Sequence, residues 1–345
     1  MKKNLRTLLL IFGTSVLFNA SCQDVHFSFA EYSNMNLNPA LAGANSSLQG
    51  VVNYRNQWSS VGEPFKTFSA SFDARFNENK KNKSGIFAGG ISFYNDQAGD
   101  MRISTSSVNL NLAYHLLIND KNTIGLGIYG GFGQRSFNAA GGKWATQYNN
   151  GAYDASINSG EVFGNASFGF ADAGAGLLYT YNAGGGYMRQ NNKTKINAGL
   201  AFYHVNQPSF SFVSSNTEKL YMRISGFVNA EIGIANTSGA ILPGLYFHRQ
   251  GNAQEILLGA NYKFIMSEGS RVTGFNRPMA FYVGAFGRIK DAFVAKFMFE
   301  FDQFMTGFSY DVNVSGLNDA SRARGGVELF IRFNAGSGYR SNSRI

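Results

Sequence analysis

Apolar and polar residues alternate along this chain with a period of two, in segments longer than soluble strands usually reach. Successive side chains of a strand point to opposite faces, so the pattern gives one apolar and one polar face. From Phe65 to Phe76, Phe68, Ala70, Phe72, Ala74 and Phe76 are apolar, while Thr67, Ser69, Ser71, Asp73 and Arg75 are polar. Phe293, Ala295, Phe297, Phe299 and Phe301 oppose a set that holds Lys296 and Glu300. Val108, Leu110, Leu112, Tyr114 and Leu116 oppose Asn109, Asn111 and His115, and near the end Val327, Leu329, Ile331 and Phe333 oppose Glu328 and Arg332. A soluble sandwich also alternates, but its apolar face is usually aliphatic and its outer face rich in Lys and Glu. These segments run for about 10–14 residues, against ~5–6 for a mean soluble strand. That length suits a tilted membrane strand of ~9–11 residues with extensions. Tyr54, Trp58, Tyr94, Tyr262, Tyr282 and Tyr310 fall near segment ends, where interfacial aromatic girdles are expected.

Turn signals divide the chain into strands near 48–57, 65–76, 85–95, 103–117, 122–136, 168–181, 194–205, 219–234, 240–249, 253–265, 279–289, 292–301, 304–313 and 325–334. The predicted fold is an all-β transmembrane antiparallel barrel of about 14 strands. Closure is obligatory, because an open sheet edge in lipid leaves unpaired N–H and C=O groups at several kcal/mol each. An even count puts both termini in the periplasm, so the long connection 137–167, with Trp144, falls outside. The short links Asn119-Asp120-Lys121 and Asn236-Thr237-Ser238-Gly239 fall on the periplasmic side, whereas the inner link 182–193 is longer than expected.

The N-terminus reads as an export signal. Lys2, Lys3 and Arg6 precede the apolar stretch from Thr7 to Phe18, which is too short to span a bilayer as a helix. Ala20-Ser21-Cys22 then supplies small residues, so cleavage is expected after Cys22. A lipidation box would carry Leu three residues before the cysteine, where this chain has Asn19. Cys22 is the only cysteine, so no internal disulfide can form. The expected organisation is a signal peptide (1–22), an N-terminal periplasmic segment (23–47), an outer-membrane barrel (48–334) and a C-terminal tail (335–345). Beyond the leader no run of ~18 apolar residues occurs. Gly (41), Phe (32) and Tyr (17) are abundant, and charged residues make up only 15%, against ~25% in an average soluble domain.

The formal charge of +9 includes three charges of the leader. The rest are scattered apart from Lys80-Lys81-Asn82-Lys83 and a basic tail, so a nucleic-acid partner is not indicated. Gly-Gly pairs lack the Lys-Ser/Thr of a phosphate loop, and no Gly-x-Ser-x-Gly occurs. His26, His115, His204 and His248 lack a metal-ligand spacing. Neither catalysis, a cofactor, a metal nor a small-molecule substrate is indicated. A charge facing lipid would cost about 2–4 kcal/mol near the midplane, so Asp73, Arg75, Lys296, Glu300, Asp311, Glu328 and Arg332 are expected to line the lumen. Asn109, Asn111, Lys263 and Arg288 share that parity. Their mixed signs allow either ion pairing that closes the lumen or a diffusion channel. Segment 23–47, without strong alternation, is the candidate partner-contact or plug element, through Phe27, Tyr32, Asn38 and Pro39, with Arg55 and Trp58 on the first strand.

Gln23-Asp24-Val25-His26-Phe27-Ser28 is followed by Asn36-Leu37-Asn38-Pro39-Ala40-Leu41-Ala42-Gly43 and by Asn53-Tyr54-Arg55-Asn56-Gln57-Trp58. Further blocks are Ser71-Phe72-Asp73, Asn95-Asp96-Gln97-Ala98-Gly99, Arg288-Ile289-Lys290-Asp291-Ala292, Gly307 to Ser315 and Gly325-Gly326-Val327-Glu328-Leu329. On these blocks the chain resembles the PorP/SprF family of the Bacteroidota over its full length. It departs from that pattern at Phe29, where the family commonly has Gln, in 137–167, and in the tail past Phe333. The resemblance implies an outer-membrane barrel of the type IX secretion system, serving export or surface attachment of adhesins with a C-terminal sorting domain. It therefore implies protein partners, secretion components and cargo, beside the outer-membrane lipids.

Overall fold

The computed structural model describes residues 24–335 apart from 61, 78–83, 150, 162–165, 185–190, 214–217, 268–276 and 317–320. The expected signal peptide and tail lie outside the described residues, except Ala335. Fourteen long strands form the wall: β1 (Leu48–Gln57), β2 (Phe65–Arg75), β3 (Gly85–Ala98), β4 (Ile103–Leu117), β5 (Asn122–Ser136), β8 (Ser167–Ala183), β9 (Thr194–Tyr203), β10 (Arg223–Gly233), β11 (Gly239–Gln250), β12 (Ala253–Ser267), β13 (Met279–Arg288), β14 (Ala292–Phe301), β15 (Phe304–Asn313) and β16 (Arg324–Ala335). Two short strands, β6 (Tyr148–Asn149) and β7 (Ala152–Tyr153), make a hairpin within the long connection.

Each wall strand pairs antiparallel with its neighbour, and β1 pairs with β16 from Leu48↔Ala335 to Gln57↔Gly326, which closes the barrel. Every wall strand therefore has partners on both sides, as a sheet in hydrocarbon requires. β1 begins and β16 ends at one rim, the near rim. The connections 137–166 and 204–222 rise from the opposite, far rim.

Boundaries differ from the sequence reading where loops and rims decide them. β10 begins at Arg223 and not at 219, because Lys219 pairs with Ser209 inside the preceding loop. β3 continues to Ala98, paired with Ile103.

The alternation resolves into an outer apolar face and an inner polar one. Phe68 and Phe72 of β2, Leu110 and Leu112 of β4 and Phe293, Phe297 and Phe299 of β14 are exposed. Between them, Ser69, Asp73, Asn109, Asn111 and Lys296 are buried inside. Tyr54 and Tyr310 stand on the outer face as girdle residues should. Tyr94 and Tyr282 do not. Register puts Tyr94 opposite Ser69 and Ser107, and Tyr282 opposite Lys263 and Met298, so both point into the lumen.

Leu110, central in β4 and 64% exposed, tests the outer face. Leu110→Arg is expected to destabilise the barrel by about 2–4 kcal/mol in lipid, read as a lowered urea midpoint in phosphatidylcholine vesicles. An unchanged midpoint would mean that this face does not meet lipid.

Candidate functional site: a plugged lumen

Eight strands enclose an interior that side chains alone can fill, whereas 16 to 18 leave an aqueous channel. Fourteen lies toward the wide end, and here a segment of the chain itself occupies the space. Residues 24–47 cross the lumen from the far rim, beside Arg223 and Gln250, to the near rim, where Leu48 begins β1. The sequence reading sets 23–47 in the periplasm, as a partner-contact or plug element. The described part instead lies inside the barrel, because its polar groups find their partners on the wall.

Short turns (Ala30–Tyr32, Asn34–Leu37 and Pro39–Leu41) satisfy only part of the segment's backbone. Irregular backbone at membrane depth is tolerated only where protein or enclosed water satisfies it, and side chains of β2, β4, β9, β10, β11 and β16 bond to it here. Ser225 Oγ donates to Leu37 O (2.8 Å), the Tyr203 hydroxyl to Met35 O (2.8 Å) and an Arg223 Nη to Asn36 O (2.9 Å). His115 Nε2 lies 2.8 Å from Ala42 O. Near the exit, the Gly43 amide donates to Asp73 (2.7 Å), while Arg75 Nε donates to Gly43 O (2.6 Å). Gly43 holds a φ of +66°, a conformation that favours glycine.

Ser28 is the centre of a buried charge network. Its hydroxyl donates to Asp311 (2.8 Å) and accepts from Arg55 (2.6 Å) and Arg288 (2.8 Å). The Ser28 and Phe29 amides donate to Glu328 (2.6 and 3.2 Å). Arg55 lies 2.9 Å from Asp311 and 3.3 Å from Glu328, and Arg288 lies 3.0 Å from Asp311. These side chains are at most 3% exposed. Losing one member would leave a buried charge uncompensated, a loss that typically costs about 3–5 kcal/mol. One turn further, the fully buried Lys296 ammonium binds both oxygens of Glu31 (2.9 and 3.0 Å), with the Phe286 ring 3.7 Å away. Tyr32 stacks on Phe330 with ring centroids 4.5 Å apart.

The Asn38-Pro39-Ala40 turn sits in a notch of the wall. Asn38 Oδ1 accepts from the Ala40 amide (2.8 Å), and its Nδ2 donates to Leu177 O (3.0 Å) and Leu200 O (3.3 Å). Gly127 of β5 and Gly176 of β8 form the floor: a methyl group at the first would strike the Ala40 amide, and at the second the Asn38 carboxamide.

At the far rim the segment ends in a latch. Asp24 lies 3.0 Å from both His204 Nε2 and Arg223, and His204 Nδ1 lies 2.9 Å from Asp172, which also accepts from the Tyr129 hydroxyl (2.7 Å). Burial alone would push the Asp24 carboxyl up, but Arg223 and then His204 outweigh it and hold it well below the usual range. Burial alone would push the His204 imidazolium down, but its hydrogen bonds to Asp172 and Asp24 raise it to about 9.

Of the residues singled out in the sequence, Phe27, Tyr32, Asn38 and Pro39 are buried in the segment, and Arg55 meets it at Ser28. Trp58 stands apart, edge-on to Phe65 at 5.1 Å, and among the described residues it makes no hydrogen bond to the segment. Asp73, Arg75, Lys296, Asp311 and Glu328 contact the segment, Arg332 lies over its Tyr32 ring at 4.9 Å and borders the recess beside it, and Glu300 faces that recess. Ser28, Glu31 and the set Asp24–His204–Asp172 are not singled out by the sequence. Asp172 has the inward parity of β8, which is a usable signal; Ser28 is marked only by its place in the first block of the family resemblance. Among the described residues no His, Cys, Asp and Glu group could hold a metal ion.

A family model described as type IX secretion system membrane protein PorP/SprF matches residues 19–333. The chain belongs to the PorP/SprF family. Its match takes in the lumen segment and the wall as far as Phe333 of β16. No curated protein matches the chain. Among solved structures, the β domain of the Bordetella autotransporter Brka is similar at 10% identity and a TM-score of 0.41, over 85% of this chain and 100% of that one. BamA from Haemophilus ducreyi, lacking POTRA domains 1–3, is similar at 9% and 0.43, over 84% and 70%. The TodX deltaS2S3 mutant monoaromatic hydrocarbon channel is similar at 9% and 0.44, over 87% and 93%.

Gly176→Ala is expected to dislodge the Asn38 turn at a cost of about 1–3 kcal/mol, while the barrel remains closed. Faster proteolysis within 34–45 at unchanged strand content would show it; equal protection would remove the notch as the docking point. The latch carries a pH dependence of known sign. A carboxyl held low contributes stability that is lost as pH falls below its unfolded value near 3.8. An imidazole raised to about 9 contributes stability that is complete below 6.5 and lost as pH rises through 9. Slow amide hydrogen exchange at 24–29, corrected for intrinsic rate, is therefore expected between about pH 4 and 6.5, with protection falling toward pH 9. His204→Gln should flatten the alkaline limb.

Proposed function

We propose that this protein is an outer-membrane component of type IX secretion that supports export or surface attachment of sorting-domain cargo such as adhesins, by protein binding and not by catalysis. The observation that carries this reading is the lumen segment, which fills the waist of a barrel wide enough to conduct. A barrel whose interior is occupied by its own buried and ion-paired chain suits a docking station better than a diffusion channel. The family supports a place among secretion components.

In this reading residues 1–22 are removed as a signal peptide, and the near rim faces the periplasm, since longer connections belong outside. Asp24 and the connections 137–166 and 204–222 then face the cell exterior, where attached cargo would reside. Periplasmic secretion components would meet the near rim.

Deleting the gene and comparing surface and secreted proteins by mass spectrometry tests the role. Loss of one adhesin is expected of a dedicated partner, and loss of all sorting-domain cargo of a core component; an unchanged set would overturn both. In planar bilayers the intact protein is expected to be silent, and a variant lacking 25–46 to conduct. Steady conductance by the intact protein would favour the diffusion channel.

A further inference from the structure

Beneath the segment, open at the near rim, lies a recess of about 530 Å³. Its charges differ in kind from those around Ser28. Side chains of Lys193, Glu231, Lys263, Glu300 and Arg332 are 16–36% exposed, so they stand in water although they are inside the barrel.

Among the described residues the charges there do not balance. Lys193, Lys195, Lys263 and Arg332 face Glu231 and Glu300. Glu31 is already bound to Lys296, and Asp302 to Arg277 at 3.0 Å. Lys193 takes Glu231 at 2.8 Å, while Lys263 lies only 3.7 Å from Glu231 and 3.5 Å from Glu300. Arg332 reaches Glu300 at 4.0 Å. Lys195 has no carboxylate: among the described residues its ammonium binds only Asn45 Oδ1, at 2.9 Å.

We propose that this recess binds an acidic peptide segment of a protein partner, with carboxylates seated on Lys195 and Arg332. The inference deepens the protein-binding role proposed above and rests on it. Lys195, Lys263 and Arg332 stand on β9, β12 and β16, so the cations reach the recess from separate parts of the ring with Glu231 and Glu300 between them. An extended chain with separated carboxylates can meet such cations one by one. Glu231 and Glu300 repel a uniformly anionic ligand and favour one whose charges are spaced.

The test uses the full-length protein in detergent and a short fluorescein-labelled peptide of alternating Glu and Gly. Saturable binding by anisotropy is expected, weakening as salt rises. It should be absent for the Gln–Gly counterpart and reduced roughly tenfold by K195E, the equivalent of about 1.4 kcal/mol. K195R should retain binding, and unchanged strand content in K195E excludes misfolding as the cause. Equal affinity for the Glu and Gln peptides, indifference to K195E, or tight binding of inorganic phosphate with none of the peptide would each overturn the proposal. In cells, a deletion that loses cargo and is fully rescued by K195E would sink the recess alone. A deletion that loses nothing would sink the underlying role instead.

Discussion

The constraint behind the whole structure is the girth that closure imposes. Lipid forbids a free sheet edge, so β1 must find β16, and with fourteen strands in the ring the interior is wider than side chains can fill. Packing inside the barrel follows from that geometry. The wall supplies polar groups directed inward, and the segment before β1 supplies backbone to receive them. The segment has too few internal hydrogen bonds to hold its place alone at this depth, and in return it gives the wall's buried Lys296 its carboxylate, Glu31.

Two electrostatic regimes share one lumen. Around Ser28 the charges are dry, paired at close range and joined to backbone amides, an arrangement that fixes position. At the near rim they are wet, loosely paired and in cationic excess, an arrangement that leaves interactions available. The boundary is marked by Tyr32 and Tyr246, which line the wet side while lying among buried side chains.

Much of the wall was legible in the sequence because a period of two is a local signal. Phe293 to Phe301 or Val327 to Phe333 reveal their faces without knowledge of any neighbour. Strand ends were less legible: β10 starts where loop 204–222 lets go, and that depends on a bridge between Ser209 and Lys219. The segment 24–47 was least legible, although four of its residues were singled out. Its location is decided by partners such as Glu328, 300 positions from Ser28, and Leu200, 162 positions from Asn38. Tyr94 and Tyr282 illustrate the same limit. Their type suggests a membrane interface, and only register assigns them to the interior.

The path of the segment also dictates an order of events during folding. A chain that passes through the ring and then becomes its first strand can enter after the seam has closed only by threading its free end through the enclosed lumen. The economical route is for the remaining wall to curl around residues 24–47 while β1 and β16 are still apart. On that route the β1–β16 seam forms last and encloses them. The completed barrel then surrounds residues 24–47 on every side with the strands that bind them.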